Sequence, residues 1–117
     1  MKDYDEIDEI NEEDKNQQDS EINIRKLRLP NPKELEQFAV ITKLMGTNKV
    51  MAFCQDGKER NCRIPGRMKK RVWLREGDLV IAKLWEFQPE KADIEWRYSN
   101  NEKYHLAKKG LLKGLPL

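Results

Sequence analysis

Lys49-Val50-Met51-Ala52-Phe53-Cys54-Gln55-Asp56-Gly57-Lys58-Glu59-Arg60-Asn61-Cys62-Arg63-Ile64 is the stretch on which the fold turns. Asp56-Gly57 stands between two runs with the alternation of strands, a strong short-range hairpin signal. Val50, Ala52 and Cys54 share one face of the first run; Cys62 and Ile64 share one face of the second. A two-residue turn would pair Cys54 with Glu59 and send those faces to opposite sides of the sheet. Both meet one core only if the loop carries an extra residue, so a glycine bulge is expected at Gly57. Met51 and Phe53 then point outward. An outward Phe53 is either a stacking platform or a patch covered by the segment preceding the domain.

Outward from this hairpin the pattern repeats. From Glu36, Phe38, Val40 and Thr42 alternate with Ala39, Ile41 and Lys43, which predicts a first strand ending at the turn Gly46-Thr47-Asn48. Pro65-Gly66 ends the third strand. Glu76-Gly77-Asp78 is a turn, Asp78 to Phe87 a fourth strand, Pro89-Glu90-Lys91 another turn, and Ala92 to Tyr98 a fifth strand. Ser99 followed by Glu102 reads as a capping box opening a short helix. Lys108 and Lys109 suit its last turn, and Gly110 the left-handed position after it. Leu106 and Leu111 are placed for the contact that accompanies that ending, and Tyr104 and Ala107 are expected to face the sheet. Five short strands predict an all-β domain. A five-stranded Greek-key barrel of the OB type, closed by the helix, is one solution that leaves no edge strand; an SH3-like barrel has the same strand count.

The chain has 117 residues, 38% hydrophobic and 38% charged, enough for one modest core. It has no apolar run near the length of a membrane span. The acidic start lacks an apolar signal region, which argues against secretion and for the cytoplasm. Two cysteines, Cys54 and Cys62, suit a reducing compartment. The net charge of +2 hides a division. Residues 1–21 hold ten acids against two lysines, a net −8, so the remainder carries +10. Four parts are expected: a disordered acidic arm over 1–21, an extended basic lead-in over 22–35, a barrel over 36–98, and a helix and tail over 99–117. The arm is either a solubilising tail or a segment that competes with RNA for the basic face or docks on a basic partner.

Lys58 to Arg75 is the chemical centre of the sequence. Lys58, Arg60, Arg63, Arg67, Lys69, Lys70, Arg71 and Arg75 stand against Glu59, a local charge of +7, and Trp73 lies among them. Concentrated positive charge beside an aromatic is what holding a phosphate backbone and stacking a base require. The plain alternative is a solvated basic loop with a core tryptophan. Lys43, Phe53 and Arg97 are further candidates for RNA contact. Trp85 and Trp96, in strands, are expected in the core; Trp73 is either core or a stacking residue.

Catalysis is not expected. The cysteines are separated by seven residues with His105 as distant company, which is no zinc spacing, and small core residues are the better reading. No nucleophile, base and orienting group stand together, no phosphate loop is present, and no cofactor is implied.

The ordered series Leu44-Met45-Gly46, Cys54-Gln55-Asp56-Gly57, Cys62 through Leu74, Glu76-Gly77-Asp78, Lys91-Ala92-Asp93-Ile94 and Trp96-Arg97-Tyr98 resembles the translation initiation factor 1A family, in its archaeal form, over roughly residues 24 to 114. The resemblance implies an OB fold and binding to rRNA at the decoding (A) site of the small ribosomal subunit. There such a factor blocks premature elongator tRNA entry and assists initiator tRNA placement and start selection, with initiator tRNA and other initiation factors as indirect partners. It also implies RNA contact at Arg67, Lys69, Lys70, Arg71 and Trp73. The acidic N-terminus departs from the eukaryotic pattern of a basic N-terminal and a long acidic C-terminal tail, so those tail functions are not carried over. The expectation is a non-enzymatic, monomeric RNA-binding factor without membrane association. A general single-strand RNA binder or RNA chaperone, and a protein adaptor acting through the acidic arm, remain the alternatives.

Overall fold

The computed structural model describes residues 27–66 and 74–117. The acidic segment 1–21, the start of the lead-in, and Arg67, Lys69, Lys70, Arg71 and Trp73 lie outside the described residues. Five strands, β1 (Glu36–Leu44), β2 (Lys49–Cys54), β3 (Glu59–Arg63), β4 (Leu79–Trp85) and β5 (Gln88–Arg97), precede a helix, α1 (Asn100–Lys108). The strands close into a barrel in the order β1-β2-β3-β5-β4. β3 and β5 run parallel; the other pairs are antiparallel. This is the five-stranded Greek-key OB barrel.

The decisive hairpin has the expected extra residue. The Gly57 N–H donates to the Cys54 carbonyl at 2.9 Å and the Cys54 N–H to the Lys58 carbonyl at 2.8 Å, which closes a three-residue loop over Gln55-Asp56-Gly57. Gly57 has φ +91°, a conformation in which a Cβ would be strained. Val50 therefore faces Cys62 and Ala52 faces Arg60, and both strands send their small residues to one interior. Phe53 is half-buried and belongs to neither apolar cluster.

The barrel interior is built from Ala39, Ile41, Val50, Ala52, Cys54, Cys62, Val80, Ala82, Ala92 and Ile94. It holds both thiols, whose burial raises the Cys54 thiol and pushes Cys62 up to about 12. With four alanines it has no room for an indole. Trp85 is half-buried on the outside and Trp96 is 42% exposed, so neither is the core residue expected from its strand. A second cluster lies on the outer side of β1 and β4: Phe38, Val40, Leu79, Ile81, Tyr98, Leu106 and Leu112, with Leu27 and Leu115 against it. Two apolar faces explain why Phe38–Ile41 and Leu79–Ala82 are buried without alternation.

Helix α1 opens with the full capping box: Glu102 N–H donates to Ser99 Oγ at 3.1 Å, and Ser99 N–H to Glu102 Oε1 at 2.9 Å. It closes on Gly110 at φ +76°, with Gly110 N–H donating to Ala107 O (3.0 Å) and Leu111 N–H to Leu106 O (3.2 Å), a Schellman ending. The face turned to the barrel differs from the expected one. Tyr104 is 58% exposed and Ala107 is exposed, whereas Leu106 is buried. Leu112, not Leu111, joins Leu106 in the outer cluster, because the left-handed turn at Gly110 brings the next residue but one back to the barrel. Ser99→Ala should destabilise the protein by about 1 kcal/mol, the usual worth of such a cap, with a matching fall in thermal midpoint.

Two further differences concern the loops. The β4–β5 turn is Glu86-Phe87, where Trp85 pairs with Gln88, and Pro89 lies inside β5. Pro89 sits at a register shift next to the turn, where its missing donor breaks no regular ladder. The described part of the lead-in is fastened to the barrel, and a short 3₁₀ turn at Pro32–Glu34 interrupts it. Arg28 Nη2 donates to the buried Glu36 carboxylate at 3.0 Å, its Nη1 to Glu95 O at 3.4 Å, and its guanidinium lies 5.7 Å from the Trp96 ring centre. Its carbonyl accepts from the Tyr98 hydroxyl.

Candidate nucleic-acid interface

Because the small residues of β2 and β3 point inward, the alternate ones form an outer row that continues onto β5. Lys49 lies opposite Arg63 and Met51 opposite Asn61; Arg63 in turn lies opposite Asp93 and Asn61 opposite Lys91. Asp93 is the hub. Its Oδ1 accepts from Trp85 Nε1 at 2.9 Å and from Arg63 Nε at 3.1 Å; its Oδ2 accepts from Arg63 Nη2 at 3.0 Å. The Arg63 guanidinium lies 5.4 Å and the Lys91 ammonium 5.6 Å from the Trp85 ring centre, distances at which a cation is attracted to the indole face. Asn48, Lys49, Asn61, Cys62, Arg63, Trp85 and Lys91 surround a cavity of about 150 Å³. Three cations and one carboxylate, with an indole wall and two carboxamides, make a groove suited to an anionic, partly flat ligand.

The end of β3 is fixed beside this groove. Ile64 N–H donates to Asn48 O at 2.8 Å, so the chain leaves β3 beside the β1–β2 turn. Arg63 is the last residue of β3 and lies four positions before Arg67 in the sequence.

The other sequence candidates have different places. Arg60 is not on the surface: it is 4% exposed. Its Nη1 and Nη2 donate to the two Asp56 oxygens at 2.9 and 2.8 Å, and its Nε to Pro89 O at 2.7 Å. It stands opposite Ala52 on the inward side of β3 and ties the hairpin loop to β5, with its fork already occupied. Arg97 is half-buried against Asp78 (3.2 Å), linking β5 to the turn before β4. Lys43, Lys58 and Arg75 are exposed. Trp85, Lys49, Asn61, Lys91 and Asp93 are groove residues that the motif reading passed over. The alternation of Ala92 and Ile94 with Lys91 and Asp93 was the signal that could have placed the last two outside. Phe87, at the β4–β5 turn, is 92% exposed.

The Asp56–Arg60 pair also sets a pH dependence. Hydrogen bonds from the Arg60 guanidinium hold the Asp56 carboxyl down to about 2 against the opposing effect of burial. A carboxyl depressed in the folded state contributes stability in full above about pH 5 and loses it as pH falls towards 2. Asp56→Asn should therefore flatten the decline in stability across that acid range, as read by denaturant titrations at stepped pH.

The structure is thus a closed OB barrel, of the class of small β-barrel proteins, with a cationic, indole-walled groove on its β2–β3–β5 side. The family described as Translation initiation factor 1A / IF-1 matches residues 24–115. Translation initiation factor 1A of Methanopyrus kandleri is 53% identical over 89 residues, 76% of this chain and 78% of that protein. The factor of Thermoplasma acidophilum is 46% identical over 95 residues (81% and 80%), and that of Archaeoglobus fulgidus 47% over 94 residues (80% and 97%). This chain belongs to the translation initiation factor 1A family, whose members are non-enzymatic translation factors. A solution structure of a bacterial translation initiation factor, from a Wolbachia endosymbiont of Brugia malayi, overlaps 62% of this chain and 86% of that one at 16% identity and a TM-score of 0.45.

Proposed function

We propose that the protein binds rRNA at the decoding (A) site of the small ribosomal subunit, working in the cytoplasm as a monomer. Its mechanism is occupancy. A closed barrel fills an RNA groove, delays entry of elongator tRNA, and assists placement of initiator tRNA and selection of the start. Lys and Arg contacts to phosphates supply affinity without reading sequence, and the shape of folded RNA supplies placement. The observation that supports this reading is the groove itself, with Lys49, Arg63 and Lys91 grouped around Trp85, in a chain of this family. Arg67, Lys69, Lys70, Arg71 and Trp73 are assigned to the RNA contact, with Lys58, Arg63 and Arg75 extending the positive field and Lys43 and Phe53 at its margin.

The test is binding of labelled protein to purified archaeal small subunits across a salt series, with unstructured single-stranded RNA as competitor. One-to-one saturable binding that excess single strand does not displace is the expected result. Equal affinity for both, with the same salt slope, would make the protein a general single-strand RNA binder.

A further inference from the structure

The acidic segment 1–21 is the one strong feature of the sequence that subunit binding leaves unused: a factor that needs polyanions carries a net −8 at its own front. The groove offers the complementary surface, with Lys49, Arg63 and Lys91 grouped around Trp85 and Asp93 as the carboxylate set among them. The segment interleaves its acids with Tyr4, Ile7 and Ile10, side chains that suit the indole wall and the apolar part of that cavity.

The tether makes the encounter near. Arg28 is held on β5 through Glu95 O at 3.4 Å. Lys91 lies four residues further back on the same strand, roughly 13 Å away at strand spacing. Residues 22–27 separate Arg28 from the acidic segment, and seven extended steps reach up to about 25 Å. Ligand and site joined by so short a stretch of chain meet at effective concentrations in the millimolar range, so even a weak contact is populated.

We propose that the groove formed by Lys49, Arg63, Lys91 and Trp85 is the docking surface of the chain's own acidic segment, which competes there with RNA. This rests on the reading that the same face meets the ribosome. Docking lowers affinity for loose polyanions more than for a subunit that offers many contacts at once, so the segment acts as a selectivity filter. Salt weakens it together with RNA binding.

The experiment compares the full-length protein with a full-length variant in which all ten acids of residues 1–21 are changed to Asn or Gln. Heteronuclear NMR without RNA reads the Trp85 indole N–H, the Asn61 carboxamide and the backbone of Arg63 and Lys91. Fluorescence anisotropy reads affinity for a uridine 20-mer and for small subunits. The expected result is a shift of the groove signals on neutralisation that disappears at about 0.5 M salt, and about a three- to tenfold gain in affinity for the 20-mer. A gain in affinity with unmoved groove signals would overturn the proposal in favour of long-range repulsion. Shifts that grow with protein concentration would overturn it in favour of contact between two copies. Groove shifts without any RNA or subunit affinity in either protein would uphold the docking of the segment and remove the RNA reading instead.

Discussion

Arg60→Met is expected to lower stability by about 3 kcal/mol, because it removes charge-assisted hydrogen bonds to Asp56 and Pro89 from a buried position and leaves the Pro89 carbonyl without its donor. For a domain of this size that is a fall of roughly 10–20 °C in thermal midpoint. The Asp56 side chain is 38% exposed and is rehydrated when its partner goes, which keeps the loss below that of a fully buried pair. Lys58→Met, two residues away on the exposed side, should change stability by no more than about 0.5 kcal/mol. Thermal and chemical denaturation of both variants decide the matter. An Arg60→Met protein with the normal midpoint but weakened subunit binding would return Arg60 to the RNA surface.

The double reversal Lys69→Glu/Lys70→Glu is expected to have the largest effect on binding. On the proposed RNA contact, the reversal removes two phosphate contacts and introduces two repulsions, so affinity for the small subunit should fall by more than about 100-fold near 0.1 M salt. The slope of log affinity against log salt should become shallower by about two. Thermal midpoint and far-ultraviolet dichroism should stay at their normal values, since two consecutive lysines in a basic run are not the side chains from which a core is built. Retained affinity at moderate salt would take the basic segment off the RNA face and leave the groove as the principal contact.

The features legible in the sequence were those written in backbone chemistry. Asp56-Gly57 and the clash of faces between Cys54 and Cys62 called for a bulge, and Gly57 supplies it. Ser99, Glu102 and Gly110 marked both ends of the helix. What a side chain touches was less legible, because it depends on residues far away in the chain. Arg60 reads as one more cation in a basic run until the register places it opposite Ala52, pointing inward. Trp85 reads as core until the interior proves to be lined by Ala39, Ala52, Ala82 and Ala92, too narrow for an indole. Pro89 reads as a turn until the two-residue turn at Glu86-Phe87 makes it part of β5. Asp93, which orients Arg63 and Trp85 together, carries no local mark; only its alternation with Ala92 and Ile94 places it outside.

A closed barrel has no free edge on which another chain could add a strand, yet β1 and β4 still present Phe38, Val40, Leu79 and Ile81 outward. Among the described residues, Tyr98, Leu106, Leu112, Leu115 and Leu27, drawn from the two ends of the described chain, stand between that oily strip and water. Fraying of either end would thus turn a well-closed barrel into an adhesive one, and the short helix and its tail serve as a stopper against clumping as much as a prop for the fold.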